Sequence, residues 1–371
     1  MVIVMNPEQV RRLRLHAQHL DKKSPLKDAE LIIRSMVGVN AQFYPAMMLS
    51  LCARIKGLEQ SDIEAAIKQK GLVRTWTMRG TIHLHDPSDS DWLIQLLSPV
   101  FIKKGIIRRR ELGLDEEKVA RCLNEIHEIL KGVGPITRVE LIDRLIERGL
   151  NIDRKSQAPY HLIVRAALEG LLYVGPESGE GEQTYYYNDG ENKQQSLTGD
   201  DALAELAIRY LKGYGPATQN DFASWSGLTR TDANKGWSLL FNRGLIKEIK
   251  IDNHLLWAEK QINTFEEGEN VEPVVNLLPA FDSFVLGYAD REYLVPEKYR
   301  KEVYHGGQTV PVVLVDGLAA GTWKYERHGK RLNIRVSLFK PIDKTIRELI
   351  EEEANDIGRF WGQQASLSYQ I

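Results

Sequence analysis

The sequence is short of cysteine, of long apolar runs and of net charge, and each shortage excludes something. Its two cysteines, Cys52 and Cys122, lie far apart with no C-x-x-C pattern, which argues against a disulfide framework or a zinc knuckle and suits a reducing compartment. No segment approaches the roughly 18 consecutive apolar residues of a membrane span, and "MVIVMNPEQVRRLRLHAQHL" at the start lacks the layout of a secretory signal. A cytoplasmic protein without a membrane partner is therefore expected. A net charge of −2 provides no overall basic field, so any nucleic-acid binding has to come from local patches. What remains is an ordinary globular composition, 43% hydrophobic and 27% charged, over 371 residues, enough for several domains.

Internal similarity organises the chain. "KGVGPITRVEL" at 131–141 and "KGYGPATQNDF" at 212–222 match at Lys131/Lys212, Gly132/Gly213, Gly134/Gly215, Pro135/Pro216 and Thr137/Thr218. Each follows an apolar-periodic helix and offers a threonine N-cap for the next one. Further on, "EGLLYVG" (169–175) and "RGLIKEI" (243–249) echo the earlier "KGLVRTW" (70–76). In each, glycine is expected to end a helix in the left-handed conformation, with a strand, a turn and a second strand following ("TIHLH", "TYYY", "LLWA"). A helix-turn-helix closed by a β-hairpin is a winged helix. The expected fold is α+β, mainly α: winged helices at 1–125, 126–195 and 196–265. After the acidic "EEGENVE" at 266–272, the β-rich segments "PVVLVDG", "AAGTWKYER" and "RLNIRVSLF", closed by the helix "KTIRELIEEEANDIGRFWG", predict a small β-barrel-like domain over 272–371. Tandem units already combine several DNA-binding modules in one chain, so a monomer is expected.

Two amides stand out. The helix "DAELIIRSMVG" should stop at Gly38, and Pro45 suits the first turn of the next helix, leaving 39–44 as a connection. In an extended connection residues two apart share a side, so Asn40 and Gln42 can converge on one point. Tyr44, preceding proline, is expected to be extended. The plainer role for Asn40 is to satisfy backbone groups in a tight turn. The run Lys103, Lys104, Arg108, Arg109, Arg110 suits phosphate contact as well as it suits a solvated helix face. In "WTMRGTIHLHD", His83 and His85 share one face of a strand, but no cysteine or further histidine joins them and no metal is expected. Tyr44 and Trp76 could stack on a base or fill the core, and Trp323 belongs to the core. Asp282 and the pair Asp290 and Arg291 read as caps and a structural ion pair, not as catalytic groups.

The segments "AQ" (41–42), "LVRTWTMRGTIHL" (72–84), "LLPAFDSFVLGYADR" (277–291) and "VDGLAAGTW" (315–323) resemble those of the bacterial AlkZ-like DNA glycosylases, over nearly the whole chain. That family excises alkylated bases, in some members from interstrand crosslinks, with a Gln-x-Gln or Gln-x-Asp motif. Here the motif is Asn40-Ala41-Gln42, matching the Gln-x-Gln form at its second position only. The resemblance implies a DNA glycosylase acting on double-stranded DNA with alkylated bases, in the cytoplasm at the nucleoid. Gln42 and Asn40 would be catalytic, Arg74, Arg79 and the 103–110 cations would meet phosphates, and His83 would lie near the lesion with Tyr44 and Trp76. The chemistry is consistent. A cationic purine leaves without a protonating acid, and an amide carbonyl can orient the attacking water. No lysine is placed for a Schiff base, so a monofunctional, cofactor-free enzyme is expected. The alternative is a non-catalytic winged-helix DNA-binding protein, a regulator or damage sensor.

Overall fold

The computed structural model describes residues 3–178, 181–190, 197–262 and 272–370. They form two compact units: Met1–Ile63, Ala204–Trp225 and Arg230–Ile371 make up the first, and Glu64–Leu203 with Ser226–Thr229 the second. Most of the acidic stretch at 266–272 and part of the 177–183 turn lie outside the described residues. Among the described residues no helix is long and apolar enough to cross a membrane.

The first unit includes a helix whose start is written in the sequence. Asn6 caps Pro7–Ala17 by a reciprocal box with Gln9, and Pro7 sits where a missing N–H costs nothing. Its Val10 and Leu13 join a core with Ile249, Ile251 and Leu256, supplied by the antiparallel strands Ile246–Ile251 and His254–Glu259. Ile3–Val4 adds a parallel edge to that pair.

A second sheet in this unit orders its strands Val275–Leu278, Val312–Val315, Leu318–His328, Arg331–Leu338 and Gln364–Gln370. The expected barrel-like closure does not form. The sheet is open, and the helix Lys344–Phe360 packs on both edge strands. Its apolar stripe, Ile346, Ile350, Ala354 and Ile357, buries the face that closure would otherwise have hidden. Nor does this helix close the chain: Gln364–Gln370 follows and pairs parallel with Arg331–Leu338, the connection a crossover helix permits. Trp323 is buried as expected and donates its indole N–H to the Leu278 carbonyl.

In the second unit, five strands run in the order Ile82–His85, Val73–Trp76, Leu172–Glu177, Gln183–Tyr187 and Ile136–Thr137. Against them lie Pro87–Lys104, Glu116–Lys131, Arg138–Glu147 and Ala158–Leu168. The threonine of the first repeat caps as expected: Thr137 and Glu140 form a reciprocal box. In the first unit, Thr218 and Asp221 do the same with the shorter carboxylate.

The three helix-to-strand switches occur, with one correction. Gly170 and Gly244 take positive φ, whereas at the first switch Lys70 (φ 59) does so in place of Gly71. The hydrogen bonds give the reason. Lys70 and Gly71 donate to Ile67 and Ala66 just as Gly170 and Leu171 donate to Ala167 and Ala166, so the equivalent of Gly170 is Lys70.

Candidate active site

The amide segment belongs to the first unit. The helix Ala29–Ser35 ends one residue earlier than the glycine suggested: Val37 holds φ 58 and Gly38 φ 109, with the Gly38 N–H bonded to the Ile33 carbonyl. A β-branched residue resists that region, so the chain enters the segment through a conformation that its buried surroundings must enforce. Val39–Asn40 is extended, and Phe43 (φ −112, ψ 112) precedes the helix Tyr44–Cys52. The extended residue before the helix is therefore Phe43, and Tyr44 is already in the first turn, beside Pro45. Pro45 is accommodated in the first helical turn because an N–H there has no intrahelical acceptor, so the one that proline lacks costs nothing.

Asn40 and Gln42 do not share an environment. Asn40 is 7% exposed and its side-chain carbonyl accepts from the Gln42 backbone N–H at 3.3 Å, while the Gln42 side chain is exposed. This is the asparagine turn of the plainer reading. It also fixes the backbone from which Gln42 projects.

Beneath this helix lies a buried ion pair that sequence reasoning assigned to other partners. Arg54 and Asp282 have no exposed side-chain surface and meet in two parallel bonds of 2.8 Å. Ser50 donates to the same carboxylate at 2.6 Å, the Phe284 N–H at 2.8 Å, and Gln18 accepts from Arg54. Asp290 instead accepts from the Glu292 N–H, and Arg291 stacks on Tyr304, 3.5 Å from the ring centre. The Asp-Arg pair expected at 290–291 is thus Arg54–Asp282. Nothing local in the sequence signalled Arg54.

The hairpin residues belong to the second unit. Trp76 and His83 are buried. His83 bonds the Thr81 carbonyl through Nδ1, and burial first, then the charges of Arg79 and His85, hold its imidazole well below the ordinary value, so it is neutral at pH 7. Arg79 is half-buried at the hairpin turn with φ 57. That turn packs on the helix bearing Lys103 and Lys104: a Cβ at Gly80 would lie 3.1 Å from the Phe101 ring. At Gly227 (φ 77) a Cβ would lie 2.9 Å from both Arg79 Cα and Phe101, so only glycine fits there.

Two predicted phosphate ligands point inward. Arg74 is fully buried and donates to the Gly175 carbonyl. Arg109 is buried, bonded to the Ile102 carbonyl and paired with Glu116. Arg74 lies on a strand interior to its sheet with every residue buried, and helix phase turns Arg109 inward, so phosphate reaches neither. Lys103, Lys104, Arg108 and Arg110 stay exposed. The carboxylates beside the histidines also have local duties, Asp86 capping Pro87–Lys104 and Asp89 accepting from Trp92. Among the described residues no three histidine, cysteine or carboxylate groups gather as metal ligands.

The architecture is one already seen in a solved DNA glycosylase. The structure of Streptomyces sahachiroi DNA glycosylase AlkZ matches this fold with a TM-score of 0.82 at 22% identity, covering 99% of this chain and 100% of that one. The Streptomyces sahachiroi protein named interstrand DNA cross-link repair glycosylase is 25% identical over 368 residues, 95% of this chain and 96% of that protein. The sequence profile described as DNA glycosylase AlkZ-like matches residues 33–360. The chain belongs to the DNA glycosylase AlkZ-like family.

Proposed function

We propose that this protein is a monofunctional DNA glycosylase that hydrolyses the N-glycosidic bond of cationic alkylated purines in double-stranded DNA. Interstrand crosslinks built on such purines belong to the same substrate class, a reading supported by the name of the Streptomyces relative. The observation that carries the proposal is the exposed Gln42 on a backbone whose N–H is held by the Asn40 side chain. The Gln42 carbonyl oxygen accepts a hydrogen bond from water and aims it at the anomeric carbon, and its dipole favours the positive charge developing on the sugar. The cationic base departs with the bonding electrons and becomes neutral, while the water oxygen bonds the anomeric carbon as a hydroxyl and its second proton passes to solvent. Asn40 assists by orienting Gln42. Amides are too weakly basic to activate water for an uncharged base, which restricts the enzyme to labile lesions.

The helix and hairpin order supports three winged helices at 1–125, 126–195 and 196–265 ahead of the C-terminal sheet domain, acting as a monomer at the nucleoid. Lys103, Lys104, Arg108 and Arg110 neutralise phosphates, with Arg79 at the hairpin turn. In the first unit Tyr44, half-buried at the helix start, lies two residues from Gln42 and borders the lesion; in the second, the buried Trp76 and neutral His83 serve as framework of the hairpin.

Duplex DNA carrying one N7-methylguanine, incubated with the protein and then cleaved with alkali at abasic sites, is the test. Strand breaks are expected, falling by about a hundredfold or more in Gln42→Ala with duplex affinity unchanged. Equal breaks in wild type and variant would remove Gln42 from the mechanism.

A further inference from the structure

Beside Gln42 stands an aromatic side chain that the mechanism does not use. Phe43 is 48% exposed, and its ring stacks on Phe281 with centroids 4.9 Å apart and planes inclined by 19°. Both residues lie in the first unit. Phe281 holds φ 60, a left-handed conformation that a bulky side chain occupies only under compulsion. The compulsion is visible on both sides of the residue. Its N–H donates to the Thr309 hydroxyl at 2.6 Å, and the next residue, Asp282, is locked by Arg54, Ser50 and the Phe284 N–H.

Burial does not account for this strained arrangement, because Phe43 keeps nearly half its surface in water and Phe281 is only half-buried. Strain held at a site by over-determined surroundings points to a ligand. The surface offered is a flat ring backed by a parallel ring, adjacent in sequence to the residue proposed to aim the water. Its chemical complement is another flat π-system. In DNA that is a base taken out of the stack, and a cationic purine gains a further attraction to the ring face that a neutral base lacks.

We propose that Phe43, backed by Phe281, is the stacking platform for the extruded purine, and that it favours the alkylated cationic base over the normal one. The proposal rests on the glycosylase reading for its substrate, and its test reads stacking separately from excision.

The probe is a duplex with a single 2-aminopurine in a mismatch, which reports unstacking and restacking by fluorescence. Wild-type protein is expected to change that fluorescence. Phe43→Leu should abolish the change while keeping the melting temperature and the salt-dependent affinity for intact duplex, and Phe43→Trp should retain it. Phe281→Leu provides a second removal of the stacked pair. In the N7-methylguanine assay Phe43→Leu should lose about tenfold in excision rate, with recovery in Phe43→Trp. A fluorescence change that survives Phe43→Leu, or none with the wild type, overturns the platform even if excision is found. A change lost in Phe43→Leu without excision by the wild type upholds the platform and overturns the glycosylase reading.

Discussion

Arginines in the two units face carboxylates in opposite surroundings. In the first unit Arg54 meets Asp282 with no surface exposed, all four carboxylate contacts coming from fixed donors. In the second unit Arg108 meets Glu111 with both side chains about half exposed. A buried pair cannot lose one partner without leaving a naked charge in the interior, whereas an exposed pair is screened and contributes about 0–1 kcal/mol. The first is therefore framework, holding the loop that carries Phe281 under the helix that follows Gln42. The second can exchange Glu111 for a phosphate at little cost. Arg109, one residue further on, falls with the framework class because the helix turns it inward.

The largest effect is expected at the buried pair. Arg54→Ala is expected to cost about 3–5 kcal/mol, measured by urea unfolding, since it strands Asp282. A loss under about 1 kcal/mol would mean that the pair is not framework. The next contrast lies inside the basic run. Arg109→Ala should cost about 2 kcal/mol through the lost packing of its buried side chain and the Ile102 carbonyl left without its partner, and should leave the salt dependence of DNA binding unchanged. Arg110→Ala should leave stability within about 0.5 kcal/mol and reduce the salt slope by about one. Interchanged results would reverse the assignment of the two residues.

The buried histidine extends the contrast to pH. Burial holds the His83 pKa well below its unfolded value near 6.5, so below that pH the unfolded chain takes up a proton that the folded chain refuses. The stability that His83 contributes is complete above about pH 6.5 and is lost as pH falls toward its folded pKa, at up to about 1.4 kcal/mol per pH unit. Melting temperatures from pH 7.5 to 5 should fall, and His83→Gln should flatten part of the slope. His19 and His161, also held low chiefly by burial, keep the rest, while His16, raised by its bond to Asp21, acts in the opposite sense. An unchanged slope in His83→Gln would show that the imidazole is not sealed from water.

Much of this is legible in the order of the residues. The caps at Thr137 and Thr218 and the strand pairs after the three switches follow from residue types a few positions apart. Other features are hidden by as little as one residue. Val37 and Lys70 take the left-handed turns that residue type assigns to Gly38 and Gly71, because the hydrogen bonds that close a helix choose the position and neighbouring packing enforces the conformation. Arg74 and Arg109 look like phosphate ligands because composition carries no sign of which face a strand or helix will present.

The sequence by itself determined where helices start, where hairpins turn and which family the amide segment and its companions resemble, because capping, periodicity and turn chemistry act within a few residues. Only the tertiary structure decided that Arg54 would bind a carboxylate 228 residues away, that Phe281 would be strained against Phe43, and that the last sheet would stay open beneath its helix. Those outcomes depend on which distant segments share an interior, where burial sets the cost of leaving a charge unpaired or a face uncovered.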